Sequence, residues 1–79
     1  MKIRRYPELN KLKGRFRELG LSYRDVSKIT GIPLNCINDK VNGYSQIGLE
    51  DALLICQVAD ISIEDIPIFF AIDVAKRNN

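Results

Sequence analysis

The sequence predicts an all-α domain of five short helices packed around one core. Apolar residues recur at spacings of three and four through most of the chain. Glycines, serines and prolines fall between those stretches where helix ends need them. With 79 residues there is room for a single core, and no repeat, low-complexity stretch or long linker divides it.

Residues 8–19 carry Leu9, Leu12, Phe16 and Leu19 as one helical stripe, and Gly20 follows where a helix end favours positive φ. Ser22 opens a second helix, residues 22–30. Ser22-x-x-Asp25 has the form of a capping box, although Asp closes it less well than the longer Glu or Gln. Val26 and Ile29 are its inward residues, and Gly31 ends it. Pro33, with φ already set for a helix start, leads into a third helix, residues 34–42, whose buried side holds Ile37 and Val41. Asn42-Gly43 stops it, because both residues tolerate left-handed backbone.

Residues 44–48 form a loop. Gly48 is the N-cap of a fourth helix, Leu49–Ala59, with Leu49, Ala52, Leu53, Cys56 and Ala59 facing inward. Ser62-x-x-Asp65 repeats the capping signal ahead of a short fifth helix, in which Pro67 falls early enough for its missing N–H to be tolerated. Phe70, Ile72 and Val74 alternate with period two, which reads as a strand or extended arm over residues 71–79. The other extended candidate is Lys2-Ile3-Arg4-Arg5-Tyr6, and a strand at the end would have to pair with it, within one chain or across a dimer.

Composition excludes several function classes. The chain has two cysteines and no histidine, too few for the common zinc patterns. No glycine-rich phosphate loop and no nucleophile with a plausible base are present, so neither an enzyme nor a cofactor is expected. The acidic pairs Glu50-Asp51 and Glu64-Asp65 sit in first helical turns, where the macrodipole favours them. With neither a leader pattern nor a membrane-length apolar run, the expected setting is the cytoplasm, with reduced thiols. A Cys36–Cys56 disulfide remains the alternative. So small a core makes a partner subunit the expected source of added stability.

The net charge of +2 conceals a split. Residues 1–43 hold ten Lys/Arg against four Asp/Glu, a balance of +6; residues 44–79 hold two against six, a balance of −4. A basic half suggests a face turned toward a polyanion. An ordinary solvated basic first helix would give the same numbers.

Two short helices joined at Gly31-Ile32-Pro33 form a helix-turn-helix unit over residues 22–42. A two-turn helix buries little surface alone, so the other helices act as a platform and the third is left with one long exposed face. Gly20-Leu21-Ser22-x-x-Asp25-Val26-Ser27-x-x-Thr30-Gly31-Ile32, followed by Ile37 and Asn42-Gly43, resembles the helix-turn-helix of the lambda repressor and Cro-like (XRE-type) family. Tyr6, Leu9, Leu12 and Gly14, with Ile66-Pro67-Ile68-Phe69-Phe70, are similar to a subgroup of small phage-type regulators. The likeness spans about residues 6–70.

That resemblance implies a lambda repressor-like domain and a bacterial, phage or prophage Cro-like repressor on a palindromic operator. Some relatives use the same scaffold on proteins, which leaves an antirepressor-like modulator that grips a repressor as the alternative. Base-edge contacts fall on Leu34, Asn35, Asn38 and Asp39, and backbone phosphates on Ser22, Tyr23, Lys40, Asn42 and Ser45. Asn35 and Asn38 have the chemistry for a bidentate pair with adenine, Leu34 for a thymine methyl, and Asp39 for cytosine N4. Lys11, Lys13 and Arg15, or Arg4 and Arg5, add long-range attraction. Homodimerisation is implied through Leu54, Ile63, Ile68 and Phe69. Where some relatives place a buried Arg–Glu pair, this chain has Phe16 and Val41, and where a loop Lys is common it has Tyr44. Cys36 stands where Ser or Thr is frequent and reads as a small packed side chain, with a redox sensor as the other reading.

Overall fold

A computed structural model describes residues 3–72. Its helices are α1 (Asn10–Glu18), α2 (Tyr23–Thr30), α3 (Leu34–Val41), α4 (Leu49–Ala59) and α5 (Ile66–Phe70), with a 3-10 turn, Ile63–Asp65, leading into α5. The described residues contain no strand. α2 packs on both α3 and α4, while α1 packs on α3 and α5. Leu12, Phe16, Val26, Ile37, Val41, Ile55, Ile66 and Phe70 meet in the centre. No described charged or polar side chain is buried there, so Phe16 and Val41 occupy an apolar interior.

Helix ends follow local chemistry. The Ser22–Asp25 capping box is closed in both directions: the Asp25 N–H donates to Ser22 Oγ and the Ser22 N–H to Asp25 Oδ2, each at 3.0 Å. Gly31 ends α2 at φ 84°, its N–H donating to the Ser27 carbonyl. At the end of α3 the left-handed step falls on Gly43 (φ 89°), while Asn42 stays right-handed. Pro33 is the N-cap of α3, one residue before the helix. The second capping signal does not form a box: Ser62 Oγ meets the Glu64 carboxylate at 3.0 Å, and the Asp65 N–H bonds to the Ser62 carbonyl. A 3-10 turn results.

Several inward assignments shift. Ile29 is 63% exposed, and the covered face of α2 is Tyr23, Val26, Ser27 and Thr30, the i, i+3, i+4, i+7 set. The polar members are satisfied locally: Ser27 Oγ donates to the Ile32 carbonyl at 2.6 Å, Thr30 Oγ1 donates to the Val26 carbonyl, and the Ile32 N–H donates to Thr30 Oγ1. On α4 the buried set is Ala52, Ile55, Cys56 and Ala59, and Leu49 is exposed. Leu19 is also exposed, because α1 has ended before it.

Of the alternating residues that read as a strand or extended arm, Phe70 belongs instead to α5. Phe70 closes that helix and is buried four residues after Ile66, at helical spacing. Ile72 packs half-buried against the core, and Val74 with the rest of 73–79 lies outside the described residues, as does Lys2. The N-terminal segment pairs elsewhere. The Arg5 and Tyr6 N–H groups both donate to the Gly43 carbonyl, at 2.9 and 3.0 Å, and the Leu9 N–H donates to the Val41 carbonyl at 2.9 Å. Carbonyls at the end of a helix have no partner within it; here residues 4–9 supply those partners to α3 as a strap. Both cysteines are free thiols, Cys56 buried and Cys36 half-buried against the core.

Candidate nucleic-acid interface

α3 is held from beneath by Ile37 and Val41, which turns Leu34, Asn35 and Asn38 outward, all exposed, with Asp39 half-buried. Asn42 does not reach away from the helix. Its Nδ2 donates to the Asn38 carbonyl at 2.8 Å and to Asn38 Oδ1 at 3.0 Å, so Asn42 fixes the Asn38 amide from one turn further along. An amide held in one orientation loses less rotamer freedom when it meets a base edge.

The residues expected to hold phosphates are distributed unevenly. At the start of α2, Asp25 already occupies the position where the helix N-terminus favours an anion. Its carboxyl is held below the usual range by the backbone N–H of Ser22 and then by the Ser22 hydroxyl. The Tyr23 ring packs edge-on against Phe16, with centroids 6.2 Å apart. Lys40 leans toward the first turn of α4, with its Nζ 3.6 Å from Asp51 Oδ2. Ser45 is half-buried in the loop after α3, beside Tyr44.

The basic half also serves structure more than its charge count suggests. Arg15 Nε donates to the Ala59 carbonyl at 2.9 Å and Nη2 to the Asp60 carbonyl at 2.6 Å, capping α4, where Asp60 takes a left-handed φ of 55°. Lys13 bonds Glu8 at 2.9 Å. That bond, followed by the nearby Arg4 charge, holds the Glu8 carboxyl below its ordinary range. Lys11, Arg17, Arg24 and Lys28 are exposed and make no ion pair among the described residues.

Arg4 was expected only to add diffuse attraction, yet it is built into the end of α3. Its Nε donates to the Asn42 carbonyl at 2.7 Å, and its guanidinium carbon lies 5.2 Å from the centre of the Tyr44 ring. Forty residues separate Arg4 from Tyr44 in sequence, and no local pattern signals such a pairing.

Comparison with family models, curated proteins and solved structures gives no match. Of the four residues expected at the dimer interface, Leu54, Ile63 and Ile68 are exposed and Phe69 is half-buried against the core. Among the described residues no group of His, Cys, Asp or Glu has a metal-binding arrangement, and no helix is long and apolar enough to cross a membrane.

Proposed function

We propose that this chain is a sequence-specific DNA-binding regulator of the Cro-like repressor kind, which reads the major groove with α3. The observation that carries the reading is the outward row of Leu34, Asn35 and Asn38 on a two-turn helix, with Asn38 held by Asn42. The major groove admits one α-helix, and an Asn amide matches the N6–N7 edge of adenine with one acceptor and one donor. The exposed basic residues of α1 and α2 supply sequence-independent attraction. On this reading the protein is not an enzyme, needs no cofactor and works in a bacterial cytoplasm, on the nucleoid. It binds a palindromic site as a homodimer through Leu54, Ile63 and Ile68, bordered by Phe69. If a dimer neutralises six phosphates, log K falls with log salt at a slope of roughly −5.

Ile29 and Leu34 favour a second reading. Both are exposed apolar side chains on the helix pair that would face DNA, and apolar surface there suits a protein partner, such as a repressor gripped by the same helices. A gel shift on DNA flanking the coding sequence, repeated with Asn35→Ala and Asn38→Ala, separates the two. Loss of sequence preference in folded variants supports the first reading. No binding by the wild-type chain, with or without a neighbouring repressor, leaves only the second. Sedimentation with and without the bound DNA tests the dimer.

A further inference from the structure

The N-terminal strap places a cation at the foot of the reading helix, and this cation is more than a structural tie. Arg4 is held on three sides: Nε by the Asn42 carbonyl at 2.7 Å, one face by the Tyr44 ring, and Nη2 by Tyr44 Oη at 3.4 Å and Glu8 Oε2 at 3.8 Å. Glu8 is shared with Lys13, at 2.9 Å, so two cations meet one carboxylate and the group stays net positive. Among the described residues nothing accepts from Nη1, and the Arg4 side chain stays 47% exposed. A guanidinium stacked on a ring and anchored at Nε keeps its remaining N–H groups in fixed directions, and such a planar fork matches phosphate oxygens two at a time.

Position supports the same conclusion. Arg4 bonds Asn42, which in turn holds Asn38, so the cation stands at one end of the row expected to face bases. Arg5, Tyr6, Tyr44 and Ser45 rim one shallow hollow on the Tyr44 side, bringing a second cation and three hydroxyls to the same place, with the Asp39 carboxylate also on its rim. At the start of α2, by contrast, Asp25 repels an approaching phosphate.

We propose that Arg4, presented by the strap on Tyr44, is the phosphate-binding cation at the C-terminal end of the reading helix. The proposal rests on the DNA-binding reading and adds to it a named backbone contact, made by a residue far from the helix-turn-helix in sequence.

The test is fluorescence anisotropy of a labelled random-sequence duplex titrated with the full chain, from about 50 to 200 mM salt. Arg4→Gln keeps a donor for the Asn42 carbonyl and removes the charge. Its salt slope is expected to be smaller than the wild-type slope by about 0.9 per bound protomer. Arg4→Lys is expected to restore the slope. Tyr44→Leu removes the platform and keeps the charge, so it is expected to weaken binding and lower the slope. A purely structural role for Arg4 would weaken binding in Arg4→Gln without moving the slope. Melting curves identify any variant that has unfolded, and the other substitution then decides. Wild-type slopes in folded Arg4→Gln or in folded Tyr44→Leu overturn the proposal while DNA binding stands. Absence of any binding by the wild-type chain overturns both.

Discussion

Replacing Gly43 with alanine tests how the strap and α3 depend on each other. Gly43 has φ 89°, and a Cβ built on it would collide with the Tyr6 carbonyl oxygen and press on the Arg4 side chain. Gly31 is the internal control: its φ is 84°, and a Cβ there meets nothing within 4 Å. The left-handed backbone costs each alanine about 1–2 kcal/mol. The reduced freedom of the unfolded chain offsets part of this equally in both variants. Only Gly43→Ala also displaces the strap, losing two backbone hydrogen bonds on the Gly43 carbonyl and the Arg4 bond to Asn42. At about 1 kcal/mol for each of these bonds, the extra cost is about 2–3 kcal/mol. A domain of this size loses about 4–8 °C of melting temperature per kcal/mol, so Gly43→Ala is expected to melt roughly 10–20 °C below Gly31→Ala. Circular dichroism melting measures the gap, and hydrogen exchange at the Arg5 and Tyr6 amides shows whether the strap has been released. Equal melting temperatures with both amides still protected would show that the strap does not depend on Gly43.

Other consequences are as direct. Arg15→Met removes the donors that cap α4 at Ala59 and Asp60 and is expected to cost about 1–3 kcal/mol by chemical denaturation, with an unchanged dependence on denaturant. Ser22→Ala opens the capping box and is expected to cost about 1 kcal/mol. Asp25 and Glu8 both have folded-state pKa values lowered below their ordinary ones. The stability they contribute is therefore present above the unfolded-state values and lost as pH falls through the folded-state ones. Denaturation midpoints should drop on acidification through the carboxylate range, and less steeply in Asp25→Asn. Burial pushes the Cys56 thiol up, so a thiol reagent should label Cys36 well before Cys56 in the native protein; simultaneous labelling would contradict the packing.

What the sequence conveyed about the fold was mostly local. The Ser22 cap, the Gly31 turn, the positive φ at Gly20 and the fourth helix follow from residues close together in the chain, and each is found. Ile29 was misassigned because α2 is so short that one buried residue, Val26, leaves the helical phase open. Thr30 and Ser27 fill the inward face with hydroxyls bonded inside the turn. The period-two spacing groups Phe70 with Ile72, yet Phe70 shares one buried face of α5 with Ile66, four residues earlier. The outward placement of Leu34, Asn35 and Asn38 was legible from Ile37 and Val41 alone. The strap was not, because its bonds join backbone groups at positions that carry no side-chain pattern, and the Arg4–Tyr44 stack couples residues about half a chain apart.

Whether α3 reads bases through its Asn row, as proposed, is decided by selection from a pool of randomised duplexes. Enrichment of a short inverted repeat containing adenine is expected. Asn38→Ala should relax the preference at one position of each half-site by roughly 1–3 kcal/mol, about 5- to 150-fold, while residual binding keeps its dependence on salt. A pool that emerges without a shared motif, or an enriched motif unchanged in folded Asn35→Ala and Asn38→Ala variants, would contradict the proposal.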